Sequence, residues 1–111
     1  MLIQSIKSNI DFQNVYKHGK SKANKYFVMY VSENHRDFNR IGISVSKKVG
    51  NSVVRHRVKR LVKESLRLRE EISNSGLDIV IIARNSAADL GFYDVESALL
   101  HLLKLHKLVE D

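Results

Sequence analysis

Apolar residues that recur at spacings of three and four predict three helices along the chain. The first is expected to begin at Ser8 or Asn9, both good helix caps, and to end at Gly19. Its apolar face holds Phe12, Val15 and Tyr16. The last helix is expected to begin at about Asp94, after a loop from Asn85 to Gly91. Its apolar stripe comprises Val95, Ala98, Leu99, Leu102, Leu103 and His106.

Three shorter apolar runs predict strands. The run from Tyr26 to Val31 is aromatic and β-branched, and its side chains alternate between two faces. One face holds Tyr26, Val28 and Tyr30, and the other holds Phe27, Met29 and Val31. After a polar loop from Asn34 to Asn39, Arg40 to Ser46 also alternates. It places Ile41, Ile43 and Val45 inward and Gly42, Ser44 and Ser46 outward. Asp78 to Ala83 is almost continuously apolar, which is typical of a central strand covered on both faces.

The middle helix follows the second strand across a linker, Lys47 to Ser52, in which Asn51 or Ser52 can act as the cap. It is expected to end at Asn74 to Gly76. Its apolar face has a 4-3-4-3-4 spacing and comprises Val54, Val58, Leu61, Ser65, Leu68 and Ile72. A strand, helix and strand in succession indicate a crossover between parallel strands. The pattern therefore predicts a small α/β sandwich with helices on a sheet.

The composition is that of a single ordinary globular domain. The chain has 111 residues, 43% of them apolar, and it has no cysteine and no proline. A disulfide framework and a cysteine-based zinc ribbon are therefore excluded. The N-terminus lacks the pattern of a signal peptide, and no segment approaches the roughly 20 apolar residues of a membrane span. We therefore expect a cytoplasmic protein.

Positive charge is concentrated in the segment 47–69. This segment holds nine of the nineteen Lys and Arg residues and one acid, Glu64, so it carries +8 while the rest of the chain carries −1. Four of these basic residues lie opposite the apolar face of the predicted helix, with Arg55 and Arg57 at the boundary. The opposite face comprises His56, Lys59, Arg60, Lys63 and Arg67. Such a face is typical of a polyanion site, usually for nucleic acid, although a basic helix face can also be simply solvated.

Aromatic residues offer a second candidate surface. Phe12, Tyr16, Tyr26 and Tyr30 could stack on unpaired bases, and the same residues could instead belong to the core. At the start of the basic helix, Gly50 would allow a phosphate oxygen to approach backbone N–H groups, or it could belong to a plain turn.

The side chains do not indicate a catalytic centre. His18, His35, His101 and His106 lack the spacing of a metal site, so no metal ligands are predicted. No serine lies in a G-x-S-x-G context, and no Gly-rich loop carries a Walker-type lysine. The residues alone therefore predict an RNA- or DNA-binding module without catalytic residues of its own.

The segment from Gly42 to Arg67, GISVSKKVGNSVVRHRVKRLVKESLR, closely resembles the signature of the bacterial ribonuclease P protein subunit. In that family, a strand ending in S-K-K is followed by G-N-x-V-x-R-N-R-x-K-R on a basic helix. The matching residues are Lys47, Lys48, Gly50, Asn51, Val53, Arg55, Arg57, Lys59 and Arg60. DFQNVYKHGKSKANKYFVMY, DIVIIAR and the Leu-rich last helix resemble the other elements of the family, so the resemblance covers almost the whole chain.

The resemblance implies a fold and a function. The fold is a two-layer α/β (α+β) sandwich, ribosomal-protein S5 domain 2-like. Its small mixed sheet has a left-handed strand–helix–strand crossover, and its elements follow the order α-β-β(-β)-α-β-α. The function is that of the protein subunit of an endonuclease that removes the 5′ leader of precursor tRNA. The RNA partner performs the chemistry with Mg²⁺ that it mainly binds itself. The protein alone is expected to bind no cofactor, and neither DNA nor a membrane is expected as a partner.

The resemblance also implies two RNA-binding surfaces. The catalytic RNA is expected to contact Lys47, Lys48, Asn51, Arg55, His56, Arg57, Lys59, Arg60, Lys63 and Arg67. The single-stranded leader of precursor tRNA is expected in a cleft with Phe12, Tyr16, Tyr30, Lys48 and Arg55. The chain departs from the family pattern at two places. His56 replaces the central Asn of the R-N-R triplet, and the N-terminus carries only Lys7 where the family often has a basic cluster.

Other hypotheses account for the same charge. A ribosomal or RNA-chaperone-type binding module would use the basic helix without promoting cleavage. Docking of a basic amphipathic helix on an anionic membrane is disfavoured, because the face opposite the charges is committed to the core. DNA binding is disfavoured because the chain shows no helix-turn-helix spacing.

Overall fold

The computed structural model describes residues 3–67, 69, 72 and 76–110, which form one mixed sheet and three helices. The strands are β1 (Ile3–Ser5), β2 (Lys20–Ala23), β3 (Phe27–Glu33), β4 (Asn39–Ser44) and β5 (Leu77–Ala83). The helices are α1 (Asn9–His18), α2 (Ser52–Arg67) and α3 (Phe92–Leu105), and a short 3-10 turn (Asn85–Ala87) follows β5. Within the described residues, no helix has both the length and the hydrophobicity needed to cross a membrane.

The sheet has the order β1-β4-β5-β3-β2, so the most apolar strand, β5, lies at its centre as predicted. β5 pairs in parallel with β4, where Ile79 is opposite Ile41, and antiparallel with β3, where Ile81 is opposite Met29. Because α2 joins β4 to β5, the predicted crossover between parallel strands is confirmed. The predicted fold class, a mixed α/β sandwich, is therefore confirmed.

The hydrophobic pattern did not reveal the two edge strands. β1 has three residues and pairs in parallel with β4. β2 has the sequence KSKA and pairs antiparallel with β3, and all four of its residues are exposed. A strand with solvent on both sides has no apolar alternation to detect. Its two lysines also oppose pairing with the sheet edge of another molecule.

The two faces of the sheet pack against different helices. Ile79 and Ile81 point toward α2 and α3 in the main core, whereas Val80 and Ile82 point toward α1 in a smaller cluster. The predicted stripe of α3 is confirmed in the main core at Val95, Ala98, Leu99, Leu102 and Leu103. The prediction that Gly42 faces outward is wrong, because α1 covers this face and Gly42 is buried beneath it.

The buried face of α2 is wider than its predicted apolar stripe. Val58 and Ser65 are buried as predicted, and Val62 and Leu66, which the spacing pattern omitted, are completely buried. The reason is that α2 packs on both β4 and α3. Ile72 is buried but lies beyond the helix. Six residues of the predicted segment lie outside the described residues: Leu68, Glu70, Glu71, Ser73, Asn74 and Ser75.

The predicted caps are found at both ends of α1. The Ser8 hydroxyl accepts a hydrogen bond from the Asp11 N–H at 3.2 Å, and the Gly19 N–H donates to a carbonyl of the last turn at 2.8 Å. The other boundaries shift slightly: α2 ends at Arg67, earlier than predicted, and α3 begins two residues before the predicted position. The sequence therefore predicts both ends of this helix, one from a polar side chain and the other from a glycine.

Candidate nucleic-acid interface

The exposed face of α2 and the turn before it carry a dense group of basic side chains. Glu64 is the sole acid in the α2 sequence, and the opposite side of the helix is buried in the core. The exposed basic residues are Lys47, Lys48, His56, Lys59, Arg60, Lys63 and Arg67. We call this set the basic face. A rigid helix with this charge can neutralise several phosphates at once.

The turn that starts α2 is built by hydrogen bonds within the chain. Asn51 Oδ1 accepts from the Val54 N–H at 3.0 Å, which confirms Asn51 as the cap. Arg55 Nη1 donates to the Gly50 carbonyl at 2.9 Å, so this guanidinium is half-buried against the turn. A Cβ on Gly50 would lie 2.8 Å from Val54 Cγ1. Internal packing therefore accounts for the glycine, and a phosphate at this position stays a prediction.

Arg57 is oriented toward the protein rather than toward solvent. Its Nη1 donates to the Leu90 carbonyl at 2.9 Å, and its Nη2 donates to the Ala88 carbonyl. The half-buried side chain thereby ties α2 to the loop before α3. Hydrogen bonds from a charged donor are among the stronger ones in proteins, so Arg57 contributes to the fold. Its contact with RNA stays a prediction.

One cation of the basic face is paired with an acid. Arg67 Nη2 lies 2.5 Å from Glu64 Oε1, and both side chains are exposed. The hydrogen bond from Arg67 lowers the pKa of the Glu64 carboxyl. An exposed pair of this kind adds little to stability, but it cancels positive charge at the C-terminal end of α2. The positive charge is therefore densest toward the start of the helix.

A second surface lies on the other side of the sheet, where three aromatic rings of α1 and β3 pack together. The ring centroids of Phe12 and Tyr16 are 6.4 Å apart, and those of Tyr16 and Tyr30 are 5.1 Å apart in an edge-to-face arrangement. All three rings are half-buried against Val80 and the half-buried Ile82. We call these five residues the aromatic groove. The rings are thus part of a small core and remain partly exposed, and their stacking on unpaired bases stays a prediction.

The ring of Phe12 lies directly on Gly42 of β4. A Cβ at Gly42 would lie 2.7 Å from the Cε1 and Cζ atoms of Phe12 and 3.2 Å from Cβ of Ile6. The missing side chain lets α1 approach the sheet closely. A glycine inside an otherwise alternating strand is a known signal for such an approach, and it was available in the sequence.

Tyr16 stands in a partly apolar environment within the groove. Burial raises the pKa of its hydroxyl, a hydrogen bond with the Ser44 side chain lowers it, and Tyr30 raises it further, with a net increase. The phenol is therefore neutral at physiological pH. A neutral ring can stack on a base without repelling the neighbouring phosphates.

Tyr26 does not belong to the aromatic groove. It precedes β3 and packs against the main core, and Lys25 Nζ lies 5.5 Å from its ring centroid. The Asn24 side chain accepts a hydrogen bond from the Tyr26 N–H at 3.0 Å, and this turn interrupts the alternation of the strand. The prediction that Tyr26 shares a face with Tyr30 is therefore wrong.

An ion-pair cluster that the sequence analysis missed fixes α1 to the sheet. Arg40 Nε and Nη2 donate to the two carboxylate oxygens of Asp78 at 2.8 and 2.6 Å, and Nη1 donates to Asp11 Oδ2 at 3.1 Å. Asn34 Nδ2 donates to Asp78 Oδ1 at 2.9 Å. The side chains of Arg40 and Asp78 are only 13% and 7% exposed. These residues lie 29 to 44 positions apart, so no local motif reveals them.

The histidines and acids do not form a metal site in the part of the chain that the structure describes. His106, predicted as buried, is half-buried at the end of α3, with Nε2 at 2.9 Å from the Met29 carbonyl. Burial lowers the pKa of His106, against the opposing effect of this hydrogen bond. The basic face and the aromatic groove stay the candidate surfaces.

Comparison with known proteins agrees with the motif. The family model Ribonuclease P matches residues 3–107. A ribonuclease P protein component of Lachnoclostridium phytofermentans is 60% identical over 106 residues, which cover 96% of this chain and 91% of the relative. The RNase P protein structure of Staphylococcus aureus matches with a TM-score of 0.87 at 42% identity, covering 96% and 97% of the two chains. The RNase P protein structure of Thermotoga maritima matches with a TM-score of 0.82 at 34% identity, covering 97% of this chain and 99% of that one.

Motif, fold and relatives thus lead to one family, and the ribosomal or RNA-chaperone alternative has no support among these proteins. The resemblance inferred from the basic helix is confirmed over nearly the full chain. The chain therefore belongs to the ribonuclease P protein family, and it acts as the accessory protein subunit of an endoribonuclease that forms the 5′ end of tRNA together with an RNA.

Proposed function

We propose that the protein holds two RNA molecules at once, ribonuclease P RNA on the basic face and the single-stranded 5′ leader of precursor tRNA in the aromatic groove. One observation carries the proposal: two surfaces of different chemistry lie on opposite faces of a single sheet. The basic face offers contacts for phosphates, which dominate binding to structured RNA. The groove offers half-buried rings, which suit the unpaired bases of a single strand.

The connection between β4 and α2 supports a shared path for the two RNAs. Ser44, the last residue of β4, contacts Tyr16 in the groove. Lys47 and Lys48 follow within four residues and are exposed. A leader that leaves the groove at this end would meet both ammonium groups, which would neutralise its phosphates. Arg55 lies at the same turn, so the predicted leader contacts of Lys48 and Arg55 fit this path.

The proposal assigns bond cleavage to the RNA partner. A Mg²⁺ ion binds oxygen ligands, and the carboxylates of Asp11 on α1 and Asp78 on β5 are already bound by Arg40. We therefore assign Mg²⁺ mainly to the RNA and no cofactor to the protein alone. The protein reduces the repulsion between two polyanions and holds the leader in place. A cytoplasmic location stays a prediction.

The first experiment measures leader release by ribonuclease P RNA at low Mg²⁺ concentration, with and without the protein. We expect cleavage of precursor tRNA to depend on the protein, because its cations replace part of the screening by Mg²⁺. Tight, salt-sensitive binding of the RNA without any stimulation of cleavage would contradict the proposal.

The groove is tested by changing Tyr30 to Ala in the reconstituted enzyme. We expect precursor tRNA to bind about tenfold more weakly, because a base–aromatic stack contributes roughly 1–3 kcal/mol. Mature tRNA, which lacks the leader, should bind as before. Tyr93→Ala is the matched control, because Tyr93 is 83% exposed on α3 and lies outside the groove. An equal loss for precursor and mature tRNA would exclude a leader site here.

A further inference from the structure

The basic face contains a recess that phosphate binding does not explain. It has a volume of about 450 Å³ and lies near the start of α2. Its lining residues are Ser52, Val53, His56, Arg57 and Arg60, which are spaced by three or four positions and so form one stripe of the helix. At the centre of this otherwise polar stripe stands an aliphatic residue, Val53, whose side chain is 75% exposed.

Val53 has no structural reason to be apolar. It does not belong to either hydrophobic cluster, and most of its side chain is exposed to solvent. An exposed aliphatic side chain surrounded by cations cannot contact a phosphate favourably. It can contact the flat, weakly polar face of a nucleobase, as apolar side chains do at RNA interfaces.

Arg57 gives the recess a fixed wall. Its two Nη atoms donate to the carbonyls of Leu90 and Ala88, and these hydrogen bonds fix the orientation of the guanidinium. The planar face of a guanidinium held in this way can stack on a base. Because the protein itself holds this plane, little side-chain entropy is lost when a base binds against it.

The remaining lining residues complete a site for a single nucleotide. The imidazole of His56 is a second planar group beside Val53, and Arg60 is an exposed cation at the edge, suited to the phosphate that accompanies the base. Ser52 supplies a hydroxyl that can bond to a base edge. The recess therefore combines Val53 and His56 as a stacking surface, the fixed guanidinium plane of Arg57, and the exposed cation of Arg60 at its edge.

We infer that this recess binds one unpaired nucleobase of ribonuclease P RNA, inserted between Val53, His56 and the face of Arg57. The occupant is an RNA base because the recess lies within the most concentrated positive charge of the chain, where a polyanion is drawn close. The inference rests on the proposed binding of this RNA by α2. It adds a base contact to a surface otherwise described by phosphate contacts alone.

The test compares Val53→Ala with Lys63→Ala in binding ribonuclease P RNA over a range of salt concentrations. We expect Val53→Ala to weaken binding about fivefold, through the loss of two methyl contacts, with the salt slope unchanged. Lys63→Ala should instead reduce the slope by about 1, as loss of a phosphate contact does. Leu105→Ala, which alters an aliphatic residue of α3 that is 42% exposed, is the matched control and should have no effect.

Chemical probing of the RNA bases identifies the occupant. With the unaltered protein, one unpaired base should be protected, and Val53→Ala should remove that protection while the backbone footprint of α2 persists. Unchanged affinity for Val53→Ala, or a change in its salt slope, would overturn the inference. So would an effect confined to binding of precursor tRNA. If Lys63→Ala and Arg60→Ala also leave RNA binding unchanged, then the proposed function of α2 itself fails, which is a distinct result.

Discussion

The basic face and the aromatic groove differ in how they are built. The basic face comes from one continuous segment, and its residues need only the helix to stand side by side. The groove joins Phe12 and Tyr16 of α1 to Tyr30 of β3 and Ile82 of β5, so it exists only when the sheet is assembled. The first surface depends on charge and local structure, whereas the second depends on tertiary packing. A substitution that loosens packing should therefore harm the groove before it harms the basic face.

Replacing Arg40 by Ala should have the largest effect on the fold, because it leaves the Asp78 carboxylate buried without its cation. Removing one partner of a buried ion pair costs about 3 kcal/mol or more, and α1 also loses its link to the sheet through Asp11. The free energy of unfolding, measured with urea, should fall by this amount. Arg36→Ala, an exposed arginine of the nearby loop, should cost about 0.5 kcal/mol or less. Similar losses for both variants would show that the cluster does not fix α1.

Arg57 and Arg60 should differ in their effect on the stability of the fold. Arg57→Ala should lower the free energy of unfolding by about 1–2 kcal/mol, because the Leu90 and Ala88 carbonyls lose their donor. Arg60→Ala should leave stability unchanged and reduce the salt slope of RNA binding by about 1. Urea unfolding and salt titration of ribonuclease P RNA binding measure the two effects. If Arg57→Ala is as stable as the unaltered protein, its contacts with the loop before α3 are not structural.

Gly42→Ala should alter the groove with a smaller loss of stability, about 1 kcal/mol. The new methyl group meets the far end of the Phe12 ring, which can move, so the ring shifts while the sheet persists. The preference of the enzyme for precursor over mature tRNA should fall, and affinity for ribonuclease P RNA should not. Gly91→Ala is the matched control, since a Cβ there has nothing within 4 Å. A lost preference with Gly91→Ala as well would point to a general effect.

The smallest effect concerns pH. Burial lowers the pKa of His106 in the folded protein below its ordinary value of 6.5. A lowered pKa means that the folded state favours the neutral ring, so its contribution is complete above about pH 6.5 and is lost as the pH falls through the folded pKa. Urea unfolding from pH 7.5 to 5 should therefore show declining stability, and His106→Gln should make this decline shallower. Equal slopes for both proteins would show that His106 does not contribute to it.

Much of the fold follows from the sequence because hydrophobic alternation reports which residues meet the core. It identified β3, β4 and β5 and the buried stripe of α3. It missed β2 because KSKA is exposed on both sides, and it placed Gly42 outward because alternation does not identify the element that covers a face, although the glycine itself signals a close approach. The pairing of Arg40 with Asp78 and Asp11 depends on strand register, which no local pattern encodes.

The two surfaces were predictable to different degrees. The basic residues of α2 were found from charge and spacing, but the inward orientation of Arg57 was not, because it depends on where the loop before α3 passes. The groove aromatics were grouped by resemblance to a family rather than by spacing. From the residues alone, Tyr26 appeared equivalent to Tyr30, and a single turn at Asn24 separates them.

The position of β5 also governs when the protein becomes functional during its synthesis. This central strand is among the last elements to be made, yet it pairs with both β3 and β4 and supports α1 on one side and α2 on the other. An emerging chain that ends before Leu77 has its complete basic segment but no sheet against which to order it. RNA binding by a folded subunit must therefore await translation of the last third of the chain.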